Sequence, residues 1–148
     1  MREADIQKSI KDWINASGGY AVKVASGAAY SAQGQFMKLS ESGTPDILAA
    51  INGRFVAIEV KLPTGKLSDS QIYRLREIHK RKIDWIVACS CEDIQKYERD
   101  NSHHGDSKFT ALILDESTKF VMPPHRKSQN MSMDTLLKFN NWSDKRWK

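Results

Sequence analysis

The chain has 148 residues, a net charge of +5 and 40% apolar residues, which suits one domain with a single core and not several. No apolar stretch approaches the roughly 20 residues that span a bilayer, and the start MREADIQK lacks a signal-peptide apolar segment, so a cytoplasmic protein with no membrane partner is expected. Cys89 and Cys91 are too close in sequence for good disulfide geometry and unlike a redox pair, so reduced structural thiols are expected, with His103 and His104 in a solvated polar loop rather than a zinc finger.

Ile6, Ile10, Trp13 and Ile14 recur at helical spacing, and Gly18-Gly19 closes this first predicted helix. Glu3 falls on the same inward stripe while Asp5 points away. A glutamate in a first turn also favours the helix dipole, so capping is one explanation for it. Residues 20–24 alternate toward a first strand. The next stretch, SGAAYSAQGQFMKLSESG, is too rich in Gly and Ser to be regular throughout, and predicts a long loop or irregular strand that either wraps substrate or merely connects. Lys23, Ser26 and Lys38 are the candidate phosphate contacts there.

GTPDILAAINGRFVAIEVK follows, with two apolar runs around Asn52-Gly53, the strongest short hairpin signal because a type I′ turn needs positive φ at both central residues. A two-residue loop pairs Ile51 with Arg54, Ala50 with Phe55, Ala49 with Val56, Leu48 with Ala57 and Ile47 with Ile58, and next brings Asp46 opposite Glu59. Lys61, two residues beyond Glu59, points to the same face. The opposite face carries Ile47, Ala49, Ile51, Val56, Ile58 and Val60 and can pack into a core. Like charges opposed on a half-buried surface are costly unless one is protonated or a cation lies between them. Carboxylate oxygens suit Mg²⁺ or Mn²⁺, and Mg²⁺ typically takes one or two carboxylates plus water and phosphate. A structural ion pair of Lys61 with one acid is the plainer alternative.

After the hairpin, LPTGK turns the chain, with Lys66 a further candidate phosphate contact. Ser68 suits an N-cap for a helix carrying Ile72, Leu75 and Ile78, and Gln71 fits a capping box with it. The HKRK run, residues 79–82, ends this helix, where cations complement the dipole. Residues 83–89 read as a buried strand, and Ser90 caps a further helix with Ile94 and Tyr97 on one side. A strand–helix–strand connection allows a mixed sheet in which the last strand is parallel to a neighbour. Residues 109–114 and 120–122 suggest a further hairpin through DESTK, ended by Pro123-Pro124, and 134–142 suggest a short helix.

Charge is uneven. Residues 119–148 hold seven Lys or Arg against two Asp, so they carry the whole net charge of +5. Arg126, Lys127 and Arg146, interleaved with Phe139, Trp142 and Trp147, could contact phosphates and stack on exposed bases. An ordinary solvated tail whose aromatics pack on the domain explains the same residues.

Pro45-Asp46, twelve intervening residues, then Glu59-Val60-Lys61 resembles the PD-(D/E)xK signature of metal-dependent nucleases. Gly43, Gly65, Gln71 and an acidic-start first helix extend the resemblance to the VRR-NUC branch, the virus-type replication-repair nucleases, over roughly residues 1–97. The resemblance implies a restriction-endonuclease-like α/β core, a mixed β-sheet flanked by helices in the order αβββαβ. To that core are added an extra C-terminal hairpin and a short helix; the nuclease domain would fill residues 1–118, and 119–148 would be a basic aromatic extension of the same domain. By the same resemblance Asp46, Glu59, the Val60 carbonyl and Glu3 would hold Mg²⁺, with Mn²⁺ as its substitute. Gln71 would lie beside the metal, orienting water or a phosphate oxygen. Beside two acids a lysine stays an ammonium, so Lys61 is assigned electrostatic work rather than proton abstraction. The implied activity is metal-dependent, structure-specific cleavage of DNA, with a branched substrate such as a Holliday junction and a homodimer cutting two strands. Flap, nicking or RNA cleavage, or a non-catalytic nucleic-acid-binding module, are the alternatives.

Overall fold

The computed structural model describes residues 1–101, 104–105, 107–115 and 117. It begins with helix α1 (Glu3–Ala16), whose stripe of Ile6, Ile10 and Ile14 is buried, while Trp13 lies at the edge and stays partly exposed. Gly18, at a φ of 93°, lets the chain leave the helix into strand β1 (Tyr20–Lys23).

Strands β2 (Ala28–Tyr30) and β3 (Phe36–Lys38) form a separate two-stranded ribbon in the Gly/Ser-rich stretch. The segment is thus neither a plain loop nor part of the main sheet.

Strands β4 (Ile47–Ile51) and β5 (Arg54–Val60) make the expected hairpin, with both Asn52 and Gly53 at positive φ. All five pairs from Ile51–Arg54 to Ile47–Ile58 occur as the turn dictates. Helix α2 (Asp69–Lys80) then crosses to strand β6 (Asp84–Ala88), which runs parallel to β5. The main sheet has the order β1-β4-β5-β6 and is mixed, so β5 is hydrogen-bonded on both edges.

Side-chain alternation along β5 divides the core in two. Val56, Ile58 and Val60 pack with α1 and with Ile94 and Tyr97 of helix α3 (Cys91–Asp100). Ala57 packs on the other face with Trp85, Val87, and Ile72 and Leu75 of α2. The turn end of that second face is open, with Phe55 53% exposed, and the opposite end carries the acids. This is a mixed α/β fold, a sheet flanked by helices on both faces, as expected.

Residues 109–114 depart from expectation. They belong to helix α4 (Ser107–Leu114) and not to the first strand of a hairpin. Phe109 and Ile113, four apart, are buried, whereas Ala111, which a strand would place between them on the same face, is exposed. Arg76 of α2 donates to the carbonyls of Leu112, Ile113 and Asp115, meeting acceptors that a helix end leaves without partners. The second strand expected at 120–122, the helix at 134–142, His103, and Arg126, Lys127 and Arg146 lie outside the described residues.

His104 is also not simply solvated. Its ring stacks on Trp85 at 4.5 Å between centroids, and its Nδ1 meets the Trp85 carbonyl at 2.9 Å. Neither Cys89 nor Cys91 forms a disulfide, and burial raises the Cys91 thiol. Among the described residues no helix is long and apolar enough to cross a membrane.

Candidate active site

The end of β5 delivers Glu59 to the α2 face of the sheet and Lys61, two residues on, to the same side. Glu59 is 1% exposed, the one charged side chain buried in the described core. Its Oε1 accepts from Gln71 Nε2 at 2.7 Å and lies 3.4 Å from Lys61 Nζ. Its Oε2 is buried with no hydrogen-bond partner among the described residues. Burial, and then the charge of Asp46, pushes the Glu59 carboxyl up to about 8, against a smaller opposing pull from Lys61.

Asp46 stands one residue before β4. Its carbonyl accepts from the Val24 amide and its carboxylate from the Val60 amide, the latter at 2.8 Å, so the aspartate ties the ends of both hairpin strands. Burial raises its carboxyl too, partly offset by the Val60 amide and Lys61. Gly43 sets the approach to this residue. Its φ of 78° and its contact with α2, where a Cβ would come within 2.2 Å of the Ser70 carbonyl oxygen, exclude a larger residue. Arg74 donates to the Ser42 carbonyl and to Glu41, holding the same loop on α2.

Glu3 comes from the first turn of α1. The cap of that helix is supplied by Asp5, whose carboxylate accepts from the Arg2 amide at 3.0 Å. Glu3 instead accepts from the Leu62 amide at 3.4 Å and lies 3.8 Å from Lys61 Nζ. The lysine is therefore shared between Glu3 and Glu59.

Gln71 joins its two expected places in one side chain. Oε1 accepts from the Ser68 amide at 2.8 Å, closing the capping box, while Nε2 reaches Glu59.

These groups open into a cleft of about 720 Å³ lined by Glu3, Asp46, Glu59, Lys61 and Gln71 and also by Ser26 and Lys38. Lys23 and Lys66 do not line it; Lys66 borders a separate groove with Lys108 and Phe109. Sequence reasoning passed over Gln7, which lines the cleft one turn after Glu3, and the i to i+4 spacing on one helix face was the available signal. It also passed over Phe36 and Thr44 in the wall, and Arg74, which holds the loop without lining the cleft and for which no local pattern exists.

The donor set suits a hard cation in part. Among the described residues, no three His, Cys, Asp or Glu side chains converge to hold a metal ion together. Two carboxylates are within the number Mg²⁺ commonly takes, with water and phosphate filling the rest. The buried Oε2 of Glu59 needs either a proton or a cation.

A mixed sheet whose central strand ends in a buried carboxylate and a lysine, opposite a second carboxylate and open to a cleft, defines a nuclease-type α/β domain. The family model of the VRR-NUC domain matches residues 1–91, more than half of the chain, and the chain belongs to that family. Membership makes nucleic acid the class of substrate. A solved structure described as a VRR_NUC domain is similar at 25% identity with a TM-score of 0.51, covering 68% of this chain and 97% of that one. No curated protein matches.

Proposed function

We propose that this chain is a Mg²⁺-dependent endonuclease that hydrolyses DNA phosphodiester bonds, with branched DNA such as a Holliday junction as substrate and a homodimer as the cutting unit. The observation that carries the reading is the buried Glu59 carboxylate, facing Asp46 beside Lys61, with one oxygen lacking a partner. Without a cation, a proton on Glu59 shared with the adjacent Asp46 carboxylate accounts for that oxygen, so metal dependence is what separates a site from a structural acid pair.

Asp46 and Glu59, with the Val60 carbonyl, are the residues that would hold the ion, and Mn²⁺ would substitute; Glu3, expected as a further ligand, instead meets the Leu62 amide and Lys61, and the three carboxylates do not converge. When bound, a divalent ion polarises a phosphoryl oxygen and lowers the pKa of water. Gln71, anchored by its capping contact, presents its amide at a fixed place and orients Glu59 through Nε2. The Val60 amide does the same for Asp46. Lys61, held between Glu3 and Glu59, supplies positive charge to the phosphoryl oxygens as charge accumulates there. Ser26 and Lys38, which also line the cleft, contact the flanking phosphates, and the basic residues Lys23, Lys66, Arg126, Lys127 and Arg146 add longer-range attraction.

The test is cleavage of labelled four-way junction, flap, single-stranded and linear duplex DNA and of RNA, each with Mg²⁺, Mn²⁺ or EDTA, with Lys61→Ala alongside. Metal-dependent cutting lost in Lys61→Ala supports the reading, and the preferred substrate ranks junction, flap and RNA readings. Salt-dependent binding of these nucleic acids with no cutting of any would replace it with a binding module.

A further inference from the structure

We propose that the β2–β3 ribbon is a base-stacking arm of the cleft, on which Tyr30 and Phe36 receive an unpaired base from a nucleic acid whose backbone passes Lys38. The inference rests on the nucleic-acid reading of the cleft and adds what the strand must look like beside the cut.

The ribbon stands apart from the main sheet, and its strands pair only with each other. Tyr30 and Phe36 are directly opposed in its register. Their rings meet edge to face, 5.8 Å between centroids and 73° between planes, yet Tyr30 remains 73% and Phe36 65% exposed. A cross-strand aromatic pair helps hold a short ribbon. That role needs only the faces turned to each other, and these rings keep most of their surface in water.

Alternation along the two strands puts Ala28, Tyr30, Phe36 and Lys38 on one face of the ribbon. Ala28, Phe36 and Lys38 line the cleft that contains Asp46 and Glu59, so this face borders the cleft, and Tyr30, which does not line it, stands against Phe36 on the same face. Phe36 and the carboxylates thus border the same space, with Tyr30 beside it.

Charge selects the occupant. Between Asp12 and Glu41 the chain has no Asp or Glu, and its only charged side chains are Lys23 and Lys38. The next carboxylate, Glu41, also lines the cleft, and its charge is met by Arg74 of α2. Flat rings beside a lysine match a base joined to its phosphate, and sequence-tolerant stacking is how such surfaces hold single strands. A base inside a continuous duplex has both π-faces covered by its neighbours, so the arm favours DNA with an unpaired nucleotide at a branch or end.

The experiment uses the full chain in EDTA, where binding is read without cutting. A forked DNA carries 2-aminopurine as the unpaired nucleotide at the fork, and a fully paired duplex of the same length is the reference. The variant Tyr30→Leu with Phe36→Leu keeps an apolar cross-strand pair and removes the flat rings; the two single Leu variants and Tyr30→Phe accompany it, each checked by circular dichroism and melting. Wild type should quench the 2-aminopurine. The double variant should lose the quenching and bind the fork roughly 5- to 150-fold more weakly, with paired-duplex affinity changed less than about twofold. Tyr30→Phe should behave as wild type, and the single Leu variants carry the test if the double variant melts early. Bound wild type without quenching, a Leu variant that quenches normally, or equal affinity loss on both DNAs overturns the arm. Sedimentation showing a wild-type dimer that the Leu pair dissociates, with quenching unchanged, also overturns it and assigns the ribbon to a contact between copies. Quenching with no metal-dependent cleavage of any substrate refutes the hydrolase reading and leaves the arm standing, whereas cleavage without quenching does the reverse.

Discussion

Replacing Glu59 by Gln keeps the shape of a side chain that is 1% exposed and removes its charge. Burial and the neighbouring Asp46 push the Glu59 carboxyl from 4.5 to about 8, a separation worth about 5 kcal/mol between its protonation states. Below pH 4.5 both folded and unfolded chains are protonated here, and the group contributes nothing to the pH dependence. As pH rises toward 8 the unfolded chain releases the proton while the folded chain keeps it, so stability falls throughout that window and levels off above it. Between pH 5 and 9, metal-free wild type should lose about 4 kcal/mol through this residue, a large part of the ~5–15 kcal/mol that holds a domain together. Asp46, raised for the same reason, pulls in the same direction. Glu59→Gln should therefore flatten the profile and be the more stable protein at pH 8 to 9, read by urea denaturation in EDTA at matched pH. Added Mg²⁺ should restore wild type at pH 8, by about 2.7 kcal/mol at a hundredfold excess over Kd, and leave the variant unchanged. Parallel profiles for the two proteins in EDTA would refute the burial argument.

Four further substitutions test residues that build the site from α1, α2 and the loop before β4. Asp5→Ala removes the α1 cap and should cost about 1 kcal/mol with cleavage retained, whereas Glu3→Ala should reduce turnover more than melting temperature; equal melting losses with normal turnover in both would make Glu3 a structural residue. Gln71→Glu keeps an acceptor for the Ser68 amide and sets a second carboxylate against Glu59, so helix content should hold while turnover falls; retained turnover would place Gln71 outside the chemistry. Gly43→Ala brings a Cβ against the Ser70 carbonyl at an unfavourable φ and should cost about 1–3 kcal/mol together with cleavage, and a variant with wild-type melting and turnover would show that the loop can shift without moving Asp46.

The hairpin was legible because a two-residue Asn-Gly turn leaves one register, and that register determines which side chains share a face. Lys61 and Glu59 followed from alternation alone. The run at 109–114 was misread because so short a stretch, apolar but for Thr110, satisfies either period, and the deciding partner, Arg76 on α2, is remote in sequence. The ribbon was missed for a related reason: three-residue strands carry too little pattern to stand out among Gly and Ser. For Glu3, capping and site contact were indistinguishable until the fold showed Asp5 in the cap. Gln71 was posed as a choice, yet an amide has an acceptor and a donor, and the fold uses one for each purpose.

Strand β5 is bonded on both edges and covered by helices on both faces, while the β2–β3 ribbon answers only to itself. Amide exchange along β5 should then require opening of the whole molecule, and exchange in the ribbon only a local excursion. The acids and lysine are carried by the last part of the protein to come apart, and the ribbon's side of the cleft by one of the first. Heating should accordingly loosen discrimination among substrates some degrees before it ends catalysis.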